Sequence, residues 1–381
     1  LLVRQGMFAA RLSRREDAWA WLERGLELLR PVEDWSEMTL ALRLLGDLAF
    51  DHGELVRAQQ YLDEALAVNE KAADLLNGAV IFDILSNLSR VRGDLEQAKA
   101  HTMQGLTLYQ RLENPWGMAM ASNNLGILNG AQGAYDQAGE YFKQALEYFR
   151  TLGDRSGVAR SLQNLSIIAY IHQDYTRARD LRLECLAICR EIGFRWGIAS
   201  TLKHLGDVEK SLGAFEDALL HYDQSLAMSR QAGDRKSILY TLNSLGNLWV
   251  ARGDAGQARR TYDEALALAM EIDMAPVAVD VLCGIAEALA LDGSREHALE
   301  LLHFALQQAG LDELLEPGES RTTFLLRFTL SHPHANTVIV GTLHPEHLRE
   351  NIAATRRGPL SPQVYAEAKR RLEQAGVSPA A

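Results

Sequence analysis

One spacing recurs along most of this chain and limits what it can fold into. A glycine followed five residues later by an alanine occurs at Gly93 and Ala98, and again forty residues later at Gly133 and Ala138. The same phase continues at Ser13/Ala18, Gly53/Ala58, Gln173/Ala178, Gly213/Ala218, Gly253/Ala258 and Gly293/Ala298. A constant period with no insertion predicts a solenoid, in which each repeat contacts only its neighbours. We infer eight repeats, which together cover residues 1–310 of this chain of 381 residues.

Each period contains the signals for two helices. In the fourth repeat, Ser122, Leu125 and Leu128 are three residues apart, as on one face of a helix. Gly133 then breaks this helix, and a second helical stripe begins near Ala138. The sequence therefore predicts sixteen helices in eight antiparallel pairs. Short loops join the pairs, and one of them is Gly193-Phe194-Arg195-Trp196.

Small residues occupy fixed positions inside these predicted helices. Glycine within a helix costs roughly 1 kcal/mol relative to alanine. Its repetition predicts that two helices approach each other closely there. The first such position, called here the small position, holds Gly6, Gly46, Ser86, Gly126, Ser166, Gly206, Gly246 and Ala286.

The combination of Leu125-Gly126 with Ala138, Phe142 and Ala145 resembles the tetratricopeptide repeat. The forty-residue period is longer than the usual thirty-four. It is similar to the variant found in kinesin light chains and in bacterial regulators with tetratricopeptide sensor domains. The resemblance covers residues 1–310. It implies an all-α fold, a right-handed α-solenoid of eight helix-turn-helix repeats, with a concave groove lined by the first helix of each pair.

The composition narrows the possible partners. A net charge of −11 argues against direct binding to nucleic acid. No apolar run approaches the ~20 residues of a membrane span, so we expect no membrane partner. The three cysteines, Cys185, Cys189 and Cys283, suggest no disulfide framework and favour a cytoplasmic protein.

Polar residues recur around the small position of the predicted first helices. The candidate groove residues are Asn123, Asn124, Arg160, Gln163, Asn164, Lys203, His204, Asn243 and Asn247. An asparagine side chain offers two donors and an acceptor to an extended peptide backbone. Lys203 and Arg160 are suited to an acidic side chain or a carboxyl terminus. We predict a groove that binds a peptide or protein. The alternative, that these asparagines bond to a neighbouring helix and hold the stack together, stays open.

The forty-residue pattern ends near residue 310, so we expect a separate segment at 311–381. A helix at 319–331 is predicted before Pro333, a short strand at 338–340, and a last helix from Pro362 to Gln374. A terminal repeat must shield the apolar face of its neighbour. We therefore expect the helix at 319–331 to act as the cap of the solenoid.

The tail carries a second family pattern. Its residues are Leu326-Arg327-Phe328, Ser331-His332-Pro333, Thr337-Val338-Ile339-Val340-Gly341-Thr342, Pro345-Glu346-His347-Leu348-Arg349-Glu350-Asn351, Gly358-Pro359-Leu360 and Tyr365-Ala366-Glu367-Ala368-Lys369-Arg370-Arg371-Leu372. This pattern resembles the C-terminal end of an aldo-keto reductase, over about residues 312–376. The resemblance implies a short mixed tail derived from the end of a (β/α)8 barrel. There, Thr342 would contact the phosphate of NADP, Glu350 the ribose and Asn351 the adenine. His347 stands where the family often has arginine.

The reductase resemblance does not imply an enzyme. The catalytic residues of that family come from earlier strands of a barrel of ~250 residues, and here repeats occupy that place. We expect a vestigial NADP half-site, no bound cofactor and no catalysis. Four histidines in the tail match no metal-ligand spacing, so we predict no metal site. The alternative is an NADP-dependent protein related to aldo-keto reductases but catalytically incomplete.

The chain begins inside a repeat and without methionine, at Leu1. We expect an effector domain upstream of it. The favoured function is a peptide- or protein-binding sensor, the C-terminal tetratricopeptide part of a larger bacterial protein of transcriptional regulation.

The tail gives a direct prediction about chemistry. The purified chain should neither reduce aldehydes with NADPH nor bind NADPH tightly, because the half-site from Thr342 to Asn351 lacks a nicotinamide platform. NADPH absorbance and fluorescence measure the two properties. Aldehyde reduction that disappears in a Thr342→Ala variant would contradict the expectation.

Overall fold

The computed structural model describes residues 1–294, and beyond them residues 316, 317, 319, 327, 357 and 360–374. Every regular element in these residues is a helix. The α-helices are α1 (Leu2–Arg11), α2 (Arg15–Leu29), α3 (Trp35–Asp51), α4 (Leu55–Ala72), α5 (Leu75–Val91), α6 (Leu95–Arg111), α7 (Pro115–Ala131), α8 (Tyr135–Leu152), α9 (Arg155–Ile171), α10 (Tyr175–Glu191), α11 (Arg195–Ser211), α12 (Phe215–Ala232), α13 (Arg235–Ala251), α14 (Ala255–Glu271) and α15 (Ala275–Leu291). A short 3-10 helix covers Arg30–Val32, and a C-terminal helix covers Pro362–Gln374.

The chain divides by its contacts into a first unit, Leu1–Phe194, and a second unit, Arg195–Ala381. The first unit holds the pairs α1/α2 to α9/α10, and the second holds α11/α12, α13/α14 and α15. Helices of a pair pack on each other, and each pair packs on the next within its unit. The predicted all-α solenoid of helix-turn-helix repeats is confirmed for this part of the chain. The expected partner of α15 lies outside the described residues.

A residue with a left-handed backbone ends a helix about every twenty residues. At the turns within pairs, φ is +77° at Gly133 and +60° at Gln173, where the sequence has no glycine. The loops between pairs also have positive φ, as at Gly153 and Ala73. Only glycine adopts this conformation without steric penalty. Since Gln173 has it too, the turn is imposed by the packing of the two helices that it joins.

Side-chain caps start most of the helices. The Asp94 carboxylate accepts a hydrogen bond from the backbone N–H of Gln97 at 3.0 Å, which satisfies one of the unpaired donors of the first turn. Asp34, Asp74, Asn114, Asp154, Asp174, Asp234 and Asp254 cap their helices in the same way. The loop residue Trp196 belongs to α11, because that helix begins at Arg195 and not after the predicted loop.

The close approach within each pair occurs at the small position. A Cβ atom on Gly126 would lie 2.4 Å from Cε1 of Phe142, sixteen residues later in the partner helix. Tyr222 and Tyr262 fill the equivalent space over their own glycines. Where the later residue is Thr102, the small position holds Ser86, and their hydroxyls lie 2.7 Å apart. The glycines are therefore required by the large side chains that pack on them.

The tail is described only in part. The C-terminal helix Pro362–Gln374 has the predicted bounds. Glu319 is not helical, whereas Arg327 is, and Arg327 Nη1 lies 2.8 Å from Glu319 Oε1 in a buried ion pair. The rest of the predicted helix at 319–331 and the strand at 338–340 lie outside the described residues. The boundary between 310 and 311 stays a prediction.

The described residues contain no helix with the length and the apolar character needed to cross a membrane. They also contain no group of three or more His, Cys, Asp or Glu side chains arranged to hold a metal ion.

The packing at the small position predicts a large effect of a small change. Gly126→Ala should lower the free energy of unfolding by about 1–3 kcal/mol, because the new methyl group overlaps the Phe142 ring. In a Phe142→Ala background the same change should be neutral or stabilising, since the overlap is gone. Urea unfolding measures both differences.

Gly139 provides the control for this cycle. It also lies inside a helix, but a Cβ there would be 3.5 Å from Ile168 Cγ2, an ordinary contact. Gly139→Ala should therefore stabilise the chain by up to about 1 kcal/mol through helix propensity. An equal loss from Gly126→Ala in both backgrounds would refute the packing explanation.

Candidate functional site

The predicted groove residues lie on the first helices of the pairs, where they are either adjacent or three to four residues apart, and so they cover one broad side of each helix. We call this side the first-helix face. In the first unit its central residues are Trp116, Met120, Asn123, Asn124 and Ile127 of α7 and Arg160, Gln163, Asn164 and Ile167 of α9. In the second unit they are Trp196, Ser200, Lys203, His204 and Asp207 of α11 and Lys236, Tyr240, Asn243 and Asn247 of α13.

Two of the predicted asparagines bond to each other. Asn164 Nδ2 donates to Asn123 Oδ1 at 3.0 Å and thereby joins α9 to α7. Asn123 is only 2% exposed. A buried amide without a partner would cost about 1–3 kcal/mol, so this bond stabilises the contact between successive repeats. For these two asparagines, the hydrogen bond agrees with the alternative given by the sequence, in which asparagines bond to a neighbouring helix and hold the stack together.

The neighbouring residues leave more surface for a ligand. Asn124 and Gln163 are half-buried, and Arg160 is exposed, with its Nη2 3.1 Å from Met120 Sδ. Beside them lie the exposed side chains of Trp116 and Ile127. The face in the first unit therefore combines amide groups with apolar patches. The apolar members were missed by sequence reasoning, which followed only the polar positions.

A buried carboxylate lies further along the first-helix side of the first unit, on α5. Asp83 Oδ2 accepts a hydrogen bond from the Tyr109 hydroxyl at 2.6 Å. Its other oxygen, Oδ1, is buried and has no hydrogen-bond partner among the described residues. Burial raises the pKa of Asp83 to about 6, although the bond from Tyr109 acts in the opposite direction. Burial also raises the pKa of Tyr109, so it shifts the titration of both groups in favour of their protonated, neutral forms.

In the second unit, Lys203 and His204 lie on either side of one carboxylate. Lys203 Nζ is 2.9 Å and His204 Nδ1 is 3.2 Å from Asp207 Oδ2, and the Tyr222 hydroxyl donates to Asp207 Oδ1 at 2.8 Å. Burial acts to raise the pKa of Asp207, but the charges and hydrogen bonds of Lys203 and His204 outweigh it and hold that pKa well below its usual range. Lys203 and His204 thus have a structural role besides any contact with a ligand.

The asparagines of α13 are also engaged within the protein. Asn243 Nδ2 donates to Asp280 Oδ2 of α15, and the Tyr262 hydroxyl donates to Asn247 Oδ1 at 2.6 Å. Burial raises the pKa of Asp280, while the bond from Asn243 and the charge of Lys203 lower it. Asn243 therefore resembles Asn164 in joining one first helix to the next.

A cavity of about 530 Å³ opens on the first-helix face of the second unit. We call it the α11–α13 pocket. It is lined by Trp196, Ala199, Ser200, Lys203, His204, Ser225, Asp234, Lys236, Ser237, Tyr240 and Thr241. Trp196 is 55% and Tyr240 45% exposed. The pocket thus brings two predicted residues together with aromatic and basic side chains that the sequence did not single out.

The signal for the missed residues was present in the repeat. Trp196 and Lys236 precede the small position of their repeats by ten residues, and Tyr240 precedes it by six. Trp116 and Arg160 occupy these same two positions in the first unit. Residues three or four positions apart lie on the same face of a helix. Their positions in the repeat therefore place Trp196, Lys236 and Tyr240 on the first-helix face.

The opposite side of the pairs carries ion pairs at the same two repeat positions in three places. Arg30 lies 2.7 Å from Glu64, Arg150 2.7 Å from Glu184 and Arg230 2.6 Å from Glu264, each thirty-four residues apart. They join the second helix of one pair to that of the next. A cavity of about 790 Å³ lies between α8 and α10 on this side, with Leu146 and Ile168 in its lining and the Arg150–Glu184 pair at its edge.

The predicted cofactor residues Thr342, His347, Glu350 and Asn351 lie outside the described residues. The NADP half-site therefore stays a prediction.

Comparison with known proteins supports the repeat. The tetratricopeptide repeat family model matches residues 117–191, 157–231 and 197–271. No curated protein matches the chain. The reductase resemblance of the tail finds no support in these comparisons.

Several solved structures are similar to this chain. The apo form of RapI has a TM-score of 0.62 at 15% identity, covering 71% of this chain and 97% of that one. A Rap protein complexed with competence and sporulation factor has a TM-score of 0.57 at 13% identity, covering 98% of each chain. A STAND signal-transduction ATPase with a tetratricopeptide repeat sensor, from Pyrococcus horikoshii, has a TM-score of 0.62 at 16% identity, covering 78% of this chain and 46% of that one. At these identities the similarity shows the fold, a tetratricopeptide solenoid.

The buried carboxylate predicts how stability depends on pH. Folding raises the pKa of Asp83 from 3.8 to about 6, so the folded chain holds this proton more tightly than the unfolded chain. Asp83 therefore lowers the free energy of unfolding progressively as the pH rises from 3.8 to about 6, and above this interval the free energy falls no further. Asp83→Asn should raise the free energy of unfolding by up to about 3 kcal/mol near pH 8 and change it little near pH 4.

Urea unfolding at the two pH values measures this difference. Asp180, which is exposed on α10, supplies the control, since Asp180→Asn should have the same small effect at both. A gain from Asp83→Asn that is equal at both pH values would show that ionisation of Asp83 is not its cause.

Proposed function

We propose that this chain is a peptide- or protein-binding scaffold and that its ligands bind to the first-helix faces. The observation that carries this proposal is a difference between the two sides of the helix pairs. Residues that serve the repeat should recur with it, whereas residues that select a ligand should differ between repeats at fixed positions. On the second-helix side, exposed charges pair with each other between three sets of successive repeats, whereas on the first-helix face polar and aromatic side chains vary between repeats and stay partly exposed.

The second-helix side carries exposed charges that pair with each other. Arg150–Glu184 in the first unit and Arg230–Glu264 in the second occupy the same positions of their repeats. Exposed ion pairs of this kind contribute between 0 and about 1 kcal/mol each. The other repeats hold Glu70/Gln104, Gln110/Gln144 and Arg190/Gln224 at these two positions, so the pairs occur in part of the array, where contacts between successive repeats account for them.

The first-helix side has the variable pattern. The position three residues before the small position holds Arg43, Asp83, Asn123, Gln163, Lys203 and Asn243. Large side chains on the same face, Trp116, Trp196 and Tyr240, are about half exposed although nothing in the repeat requires an aromatic residue there. Exposed aromatic residues surrounded by polar groups are typical of the anchor points of protein interfaces.

We divide the predicted groove residues into two roles according to their hydrogen bonds within the protein. Four asparagines form hydrogen bonds within the stack, and we infer that they stabilise the first-helix face: Asn123, Asn164, Asn243 and Asn247. Asn124, Arg160, Gln163, Lys203 and His204 are then the predicted residues that contact the ligand. Trp196, Lys236 and Tyr240 join them.

The related structures are consistent with this role. A solved Rap protein of similar fold is complexed with competence and sporulation factor, and the STAND protein of similar fold has a tetratricopeptide repeat as its sensor. Fold alone does not assign a function, so these are analogies. By analogy with the STAND protein, we propose a role as the sensing part of a larger regulatory protein.

A selection experiment tests the scaffold function. Random peptides displayed on phage, selected against the full chain, should yield binders that lose about tenfold or more in affinity when Asn124 or Tyr240 is changed to alanine. The matched control is Lys143→Ala, an exposed residue of α8 on the second-helix side, which should leave the affinity unchanged. Isothermal titration calorimetry measures each Kd. A selection without binders, or binders sensitive only to Lys143, would refute the proposal.

A further inference from the structure

The α11–α13 pocket has a chemistry that narrows the kind of ligand it accepts. Trp196 from the start of α11 and Tyr240 from α13 supply two partly exposed aromatic walls. Lys203, His204 and Lys236 supply basic groups at its lining. Pockets of ~300–1,000 Å³ commonly hold small ligands, so a volume of about 530 Å³ has room for one or two amino-acid side chains.

The polar groups at the floor are already engaged within the protein. Ser225 Oγ donates to the backbone carbonyl of Ala199 at 2.8 Å, and Thr241 Oγ1 donates to that of Ser237 at 2.7 Å. These hydroxyl hydrogens are therefore directed at the protein and not at the cavity. A ligand would have to find its charged partners among the basic residues of the lining.

The acidic residues nearest to these cations are engaged too. Asp234 accepts hydrogen bonds from the backbone N–H and the hydroxyl of Ser237, at 3.1 and 2.7 Å, and so caps α13. The same bonds lower the pKa of Asp234. Asp207 is held by Lys203, His204 and Tyr222. Both carboxylates are thus fixed by the fold.

The two lysines retain donors for a ligand. An ammonium group has three donors, and Lys203 directs one of them at Asp207. Lys236 is exposed and forms no ion pair with the residues that the structure describes. A second anion at this position would meet N–H groups that Asp207 leaves unused. Asp207 and Asp234 both have lowered pKa values and offset part of the charge of the two lysines, so the preference for an anion rests on these N–H donors and not on an excess of positive charge.

We propose that the α11–α13 pocket binds a carboxylate of the ligand, between Lys203 and Lys236, with an adjacent apolar side chain against Trp196 and Tyr240. The proposal rests on the scaffold function above and specifies its ligand class, a peptide with an acidic residue or a free carboxyl terminus beside an apolar residue. The net charge of −11 over the whole chain disfavours a polyanion, so a single carboxylate matches the site better than a nucleic acid does.

The same positions elsewhere in the chain do not repeat this chemistry. In α7 and α9, Asn123 and Asn124 stand where α11 has Lys203 and His204, and Ser156 stands where α13 has Lys236. Trp116 keeps the aromatic position without the basic ones. The carboxylate site is therefore a property of the α11–α13 pair, and its selectivity should be local.

Fluorine NMR gives a direct test, because Trp196 lines the pocket. The full chain is labelled with 5-fluorotryptophan, and the Trp196 signal among the six tryptophans is assigned from a Trp196→Phe variant. The probes are acetyl-Phe-Glu-amide, its uncharged isostere acetyl-Phe-Gln-amide, and acetyl-Gln-Phe with a free carboxyl terminus. At least one of the charged probes should shift the Trp196 signal with a Kd about fivefold or more below that of the isostere. The two charged probes distinguish a side-chain carboxylate from a terminal one.

Variants then connect the effect to the two lysines. Lys236→Gln should weaken the preferred charged probe about threefold or more and leave the isostere unchanged, because a single exposed cation is lost. Lys203→Gln should act in the same direction, but it also removes a partner of Asp207, so its thermal stability is measured alongside. Lys143→Gln, on α8, is the control and should change nothing.

The outcomes separate this inference from the scaffold function. Equal shifts by the charged and uncharged probes, or a charge preference that survives Lys236→Gln, would overturn the carboxylate site and leave the scaffold function intact. The absence of any Trp196 shift would also overturn it. Failure of the peptide selection would instead count against the scaffold function and, with it, this inference.

Discussion

The close approach of two helices at the small position is the contact on which the rest of the fold depends. Phe142, Tyr222 and Tyr262 each cover a glycine of the partner helix so tightly that a single added carbon would overlap the ring. Ser86 and Thr102 replace this contact by a hydrogen bond between two small residues. Each pair thus has one determined spacing, and because pairs stack through equivalent surfaces, the same spacing sets the position of every first helix relative to its neighbours within a unit.

The contacts that set this geometry are confined to a few positions, and that leaves others open to change. Small residues, capping aspartates and left-handed turn residues recur with the period, even where Gln173 must adopt a positive φ in place of glycine. The polar position of the first-helix face does not recur in this way, although several of its residues form hydrogen bonds within the stack. Lys203, Asn123 and Asp83 therefore occupy equivalent positions in nearly the same backbone surroundings and present different chemistry.

The sequence predicted the fold more completely than the site, for a physical reason. Helix bounds follow from local signals, and the turn at Gly133 and the helix Pro362–Gln374 lie where these signals put them. The role of an asparagine depends on what faces it from another helix. Asn123 and Asn124 are adjacent and chemically identical, yet only Asn123 meets Asn164, forty-one residues away. The sequence predicts a loop at Trp196. Its position in a pocket depends on Tyr240, which comes from the next helix pair and lines the same cavity.

The asparagine bonds and the Lys203–Asp207–His204 cluster also affect how well the face can bind. A ligand that must order side chains loses about 0.5–1.5 kcal/mol for each one immobilised. Asn123, Asn164 and Lys203 are already held by partners within the protein, so that loss is incurred on folding and not on binding. Lys236 has no ion pair among the described residues, so it can change without disturbing the stack. In the proposed site Lys236 therefore serves the ligand contact alone, whereas Lys203 contacts the ligand and also holds Asp207.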